Sequence, residues 1–287
     1  MIRKTTLGVA IVAVLGFALV GCSDDSDNGT GGSGGTAGSG GDGGSAGAGG
    51  EGGMGGGLLG GGTVTAVHLA PEVPTAEDTE VEIYVNGEGS GVTISYAEST
   101  GRVELPAGEY SIGIGLPEAD EPLLSLDGVM IDDGTDLTAV AYAVTPPGEQ
   151  DPPFSVLVFN TSSDGLESGN GRVFVGHGAN DPALDPVNIV TVDTPITECM
   201  DLIPDFAFGT IFPTTDTVDL PAGELTVAFN VAETCPPVFA DLGVTVPVTE
   251  DVVSVVVAVD EDTSEGLAPQ LYGMIDAGQP VPLIPTE

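Results

Sequence analysis

Two histidines, three cysteines and a scatter of aspartates are the residues of this 287-residue chain whose types and spacing could do chemistry. His68 and His177 could serve as metal ligands or as a general base. A zinc site needs three or four nitrogen or sulfur ligands, and the chain has no His-x-His or Cys-x-x-Cys to supply them. The bland alternative is that each histidine sits near a strand end and hydrogen-bonds the loop that follows. Asp127, Asp132, Asp133 and Asp136, with Asp181 and Asp185 further on, carry the hard oxygen atoms that weak Ca²⁺ sites use. They read equally as solvated loops of an acidic protein. Asp24 to Gly29 has the glycine of a calcium loop at its sixth place, but the twelfth place is Gly35 where a bidentate Glu is required, which rejects an EF-hand. From Thr63 onward no serine sits in a Gly-x-Ser-x-Gly elbow, and carboxylates are too abundant for any two to identify an acid and base pair. The residues therefore point away from an enzyme and name no catalytic group.

The segment that must position Cys22 comes first in the chain. Arg3 and Lys4 precede an unbroken apolar or small run from Leu7 to Gly21, the layout of an export signal. At 15 residues the run is shorter than the roughly 18 to 20 that a spanning helix needs. Leu19-Val20-Gly21-Cys22 at its end resembles the lipobox of bacterial lipoproteins. The resemblance implies cleavage before Cys22, a diacylglycerol on its thiol, and a palmitate-type acylated anchor in a membrane. Ser23 does not resemble the aspartate that retains such proteins at an inner membrane, so the expected address is the outer membrane of the cell envelope. With Cys22 lipidated, Cys199 and Cys235 are left for a disulfide in an oxidising compartment, contributing about 4 kcal/mol on the chain-entropy model. Two free buried thiols are the alternative.

Removing the signal leaves Arg102 and Arg172 against 44 acids, a net charge of −42. Such a chain repels phosphate backbones, which excludes nucleic-acid partners. With 41% apolar residues it is not disordered by composition and can build a core beneath an acidic coat. Self-repulsion in that coat predicts a fold that is more stable in molar NaCl than in dilute buffer.

Residues 23–62 contain 21 glycines and cannot bury enough apolar area to order, so they are expected to be a disordered tether with a coil span of about 35 Å. From Thr63 the pattern becomes short β-type runs broken by Gly, Pro and Asp. Val81, Ile83 and Val85 alternate with polar positions before an Asn86-Gly87 turn, and further strands are predicted over 64–70, 110–114, 136–144 and 154–160. No helical period is sustained, so the class is all-β. The pattern occurs twice. Leu105-Pro106-Ala107-Gly108-Glu109-Tyr110 returns as Leu220-Pro221-Ala222-Gly223-Glu224-Leu225, His68 is echoed by His177, and Val81 to Tyr84 by Val187 to Val190. Each Pro-Ala-Gly is predicted to join two strands tightly at the top of one sheet.

His68 to Pro74, the strand Val81 to Val85 leading to Asn86-Gly87, and Leu105 to Tyr110 together resemble the domain-of-unknown-function 4397 family. That family occurs, often in tandem, in exported bacterial proteins and lipoproteins, and it implies no activity or site residue. The resemblance covers residues 64 to about 275 and is better in the first copy. Thr75 to Thr79 is inserted relative to the family pattern. The second copy has Val190 where the family strand has tyrosine.

The expected architecture is a signal peptide over 1–21, a lipidated tether over 22–62, two immunoglobulin-like or transthyretin-like β-sandwiches over 63–165 and 171–275, and a tail over 276–287. The expected role is a non-catalytic binding or structural module on the envelope. Its partners are membrane lipid through Cys22 and a protein or polysaccharide of unidentified structure. A calcium-dependent adhesin or matrix component is the alternative, and a hydrolase comes third.

Overall fold

The structure is a computed structural model and describes residues 60–71, 73–75, 78–144, 154–180, 185–192, 199–214, 217–230, 239–263 and 266–283. Of the signal expected over 1–21 and the tether expected over 22–62, residues 1–59 lie outside the described residues, while Gly61 and Gly62 at the expected end of the tether belong to the first strand.

Regular structure among the described residues is strand throughout, as an alternating, β-branched sequence with frequent Gly and Pro dictates. In the first half of the body, β1 (Gly61–Leu69), β4 (Glu98–Ser99), β5 (Val103–Pro106), β8 (Asp136–Ala143) and β9 (Phe154–Asn160) form one sheet. β2 (Val81–Val85), β3 (Glu88–Ile94), β6 (Gly108–Gly115) and β7 (Leu124–Ile131) form a second, ordered β3-β2-β6-β7. In the second half, β10 (Asn170–Gly178), β13 (Thr210–Phe212), β14 (Asp219–Pro221), β17 (Val253–Thr263), β18 (Gly266–Ile275) and β19 (Val281–Pro282) form the third. β11 (Val187–Val192), β12 (Cys199–Phe206), β15 (Gly223–Asn230) and β16 (Phe239–Val248) form the fourth, ordered β12-β11-β15-β16.

The pairing scheme of the second half follows that of the first. β1 runs parallel to β8 and antiparallel to β4 and β5. Likewise β10 runs parallel to β17 and antiparallel to β13 and β14. Alternation of side chains across the strands then sets three apolar layers between four sheets. Ala66, Val81, Ile83, Ile114 and Ala141 fill the first half's own sandwich. Val173, Ile189, Ile203, Val246 and Val256 fill the second's. Between them, Val67, Leu69, Tyr142 and Phe159 of the first half pack on Phe174, Val255, Val257 and Tyr272 of the second in one cluster. The sheets that carry β1 and β10 are thus covered on both faces. This is why β17 reads Val253-Ser254-Val255-Val256-Val257-Ala258-Val259 without polar alternation.

The predicted strands are found, with two differences. β1 starts at Gly61 rather than at residue 64, because Gly61 pairs with Pro106 and Gly62 with Leu105. A Cβ on either glycine would lie within 2.4 Å of the Leu105 carbonyl oxygen or 2.3 Å of that of Thr135, so only glycine can make this approach. Asn86 and Gly87 make the expected hairpin turn at φ 53° and 80°. Pro106-Ala107-Gly108, by contrast, does not join two strands of one sheet. β5 pairs with β1 while β6 pairs with β2 and β7, so the segment is a corner at which the chain leaves one sheet for the other. Gly108 is not among the positive-φ glycines, and a Cβ there would make only ordinary contact with the Tyr110 ring at 3.5 Å. Pro221-Ala222-Gly223 is the same corner between β14 and β15.

Candidate functional site

His68 is 1% exposed and His177 0% exposed. On β1 the even-numbered positions Ala66 and Ala70, and with them His68, face the first sandwich. On β10 the odd positions Val173 and Val175, and with them His177, face the second sandwich. The two rings therefore point away from each other across the molecule and cannot share a metal or a proton. His68 Nε2 donates to the Val73 carbonyl at 3.1 Å and Nδ1 accepts from the Ala70 N–H at 3.5 Å, which places the proton on Nε2 and fixes the loop that follows β1. Burial holds its pKa below the ordinary histidine value, with the backbone bonds to Val73 and Thr79 pulling the other way. His177 packs against the Phe206 and Phe208 rings at 5.8 and 6.2 Å, and its carbonyl accepts the Gly209 N–H at 2.7 Å.

The aspartates named as calcium candidates take other partners. Asp127 on β7 accepts from the Ser111 hydroxyl at 2.6 Å. Asp136 opens β8, and Asp132 and Asp133 belong to the turn between β7 and β8. There the Asp132 N–H donates to the Thr135 hydroxyl at 2.9 Å and the Asp133 carboxylate takes the Gly61 N–H at 3.4 Å. Asp136 accepts from Thr63 Oγ1 at 2.9 Å and pairs with Arg102 at 3.2 Å. Asp185 accepts the Phe208 N–H at 3.0 Å. Among the described residues no group of three His, Cys, Asp or Glu side chains gathers as a metal ion would require. Cys22, Asp181 and Cys235 lie outside the described residues, and so does any pairing of Cys199, which opens β12.

Residues that carry the architecture had no motif to announce them. Glu82 on β2 is 7% exposed and uses both oxygens, Oε1 taking the Gly91 N–H at 2.8 Å and Oε2 the Glu118 N–H at 3.0 Å. Gly91, at φ 75°, sits where the β2 and β3 register slips. Asn188 does the same for the second half, its Oδ1 taking the N–H of Asp205, at φ 48°, at the slip between β11 and β12. The sequence signal was a polar residue between two apolar strand positions, which also reads as an ordinary solvent-facing residue.

Both arginines downstream of Lys4 are spent at the junction of the halves. Arg102 pairs with Asp136 of the first half and, at 2.8 Å, with Asp276 of the second. Arg172, 3% exposed, pairs through Nε with Asp219 at 2.8 Å and gives Nη1 to the carbonyls of Ser162 at 2.6 Å and Asp164 at 3.2 Å. Nearby, Gln279 closes a two-way bridge with the Ser99 backbone, accepting its N–H at 2.9 Å and donating to its carbonyl at 3.0 Å.

The segment that Arg172 holds, Ser162 to Asp164, walls two adjoining grooves. One, of about 660 Å³, lies between the start of β1, the β7–β8 turn and Arg102, with Glu104, Asp133 and Thr135 on its sides. The other, of about 420 Å³, lies between β9 and the chain after β13, with Asn160, Ile211, Thr214 and Thr217 on its sides. Their sizes fall in the range of ligand sites. A further void of about 40 Å³ inside the second sandwich is lined by apolar side chains such as Val173, Ile189 and Leu225, and is a packing defect with no polar group to orient a ligand.

Comparison with curated proteins finds none that matches the chain. Residues 62–187, which run from β1 through β10 to the first residue of β11, match the family described as Domain of unknown function (DUF4397), so the chain carries a DUF4397 domain over that stretch.

Proposed function

We propose that this chain is a lipid-anchored envelope protein whose all-β body acts as a non-catalytic binding module. The observation that carries the anchor is Leu19-Val20-Gly21-Cys22 at the end of an apolar run, followed by a glycine-rich stretch whose last two glycines open β1. Cleavage before Cys22 and acylation of its thiol would hold the body to a bilayer, each buried methylene adding about 0.8 kcal/mol. The shared pairing scheme of β1–β9 and β10–β18, the matching sheet-switch corners and the Glu82 and Asn188 latches support reading residues 171–275 as a second, diverged copy of residues 63–165. A binding role is favoured because both histidines are committed to the interior while the grooves open at the junction of the halves. Cys199 and Cys235 complete the proposal as a disulfide, which intact mass with and without reductant would reveal.

The test is fractionation of cells carrying the chain or its Cys22→Ser variant, with protease shaving of intact cells. The native chain should sediment with membranes and the variant should be soluble. A Cys22→Ser chain that still sediments with vesicles overturns the anchor.

A further inference from the structure

We propose that the two grooves act as one site and hold a neutral glycan chain, which rests on the binding role proposed above and names its ligand class. The grooves adjoin and have Ser162 and Asp164 in common, so a chain-like ligand lying over that shared wall would meet both. Two adjoining open grooves suit a chain of repeating units better than a compact molecule.

The lining chooses the chemistry. The chain's charge repels anions, and the two arginines at the groove are already bound to Asp136, Asp219 and Asp276, so an anionic ligand would find acids and no uncommitted arginine there. What the groove offers is a mixture of acceptors and neutral hydroxyl and amide groups. Among the described residues neither the Glu104 nor the Asp164 carboxylate has a protein partner, and both are exposed on the walls. Exposed Asn160, Thr214 and Thr217 continue the polar edge in the second groove. Carboxylates accept from vicinal hydroxyls while an amide both accepts from and donates to them, and half-buried Val158 and Ile211 offer apolar surface to the C–H face of a sugar ring. The wall is pre-set, because buried Arg172 fixes the Ser162 and Asp164 carbonyls and the Asp164 N–H caps Ser162 Oγ at 3.2 Å.

The experiment is calorimetric titration of the full chain with neutral hexasaccharides of glucose, mannose, galactose and N-acetylglucosamine, and with poly-L-lysine, at 0.15 M and 1 M NaCl. At least one hexasaccharide should bind, with an affinity that changes less than about twofold between the two salts, since no charge is neutralised. Asp164→Asn and Glu104→Gln should each weaken it roughly tenfold or more. Glu88→Gln, the same charge change on the distant β3, should leave it unaltered, and all three variants should melt as the parent does. Failure of every hexasaccharide to bind at millimolar concentration overturns the proposal, as does salt-sensitive binding of poly-L-lysine in their place. Neither result touches the membrane anchor, which the Cys22→Ser fractionation decides separately.

Discussion

The central layer between the two halves makes its sharpest prediction at Gly178. A Cβ at this position would lie 2.8 Å from Cγ and Cδ2 of Tyr142 and 3.0 Å from its Cβ. These atoms cannot swing aside. Tyr142 is 4% exposed, its ring meets Phe208 edge-on at 5.7 Å, and its hydroxyl oxygen would be 3.3 Å from a Cβ on Gly209. The backbone at Gly178 is not in the left-handed region, so the cost of Gly178→Ala is overpacking alone. Inserting one carbon into a filled core costs about 1–3 kcal/mol. For a body of this size that is a fall in Tm of about 2–12 °C. A double-mutant cycle isolates the cause, measured by urea or thermal unfolding. Tyr142→Ala alone costs about 3–5 kcal/mol, and in its background Gly178→Ala should cost less than about 0.5 kcal/mol. Gly108→Ala serves as the contrast, because its Cβ meets only ordinary contact and should be neutral or stabilising by about 0.4–1 kcal/mol. Equal costs for Gly178→Ala in both backgrounds would refute the claim that the halves are fitted to each other by this knob and hole.

Other consequences follow from single side chains. Glu82→Gln leaves one oxygen for two amides, so it should cost about 1–3 kcal/mol and speed hydrogen exchange at Gly91 or Glu118. Thr65 is 0% exposed and its hydroxyl has no partner among the described residues, so Thr65→Val should raise stability by about 1 kcal/mol in a denaturant titration. His68 is held below its ordinary pKa by burial, so the unfolded chain takes up the proton first. Stability should be fully present above about pH 6.5 and fall as pH drops from there toward the lower folded value, with His68→Gln flattening the slope below about pH 6.5. Melting temperature should rise with NaCl as the acidic coat is screened, and a melt indifferent to salt would show the charge to be already balanced.

Much was legible in the sequence because it is set by local chemistry. Alternation at Val81 to Val85, the Asn86-Gly87 turn and the absence of any helical period fix strands and class from neighbours within a few residues. The twofold pattern around Leu105 and Leu220 was visible for the same reason, and it marks corners that occur in both halves. What the corners do was not legible, since Pro106 and Gly108 suit a turn within one sheet as well as a crossing between two. The choice depends on β5 finding β1 and β6 finding β2, partners tens of residues away.

The same distinction separates the histidines from the grooves. A lone histidine at a strand end is as compatible with catalysis as with packing until the sheets are stacked, and only the stack shows which face of β1 and β10 is buried. The sequence alone determined an acidic, all-β chain with a glycine-rich stretch and a cysteine at the end of an apolar run, because those properties are sums, periods or runs along the chain. Tertiary structure alone decided that the halves share a central core, that glycines 176 and 178 make room in it for the first half's side chains, and that Arg172 builds a groove wall. Those facts depend on long-range contacts between surfaces, and no local pattern of residues specifies which surface will be met.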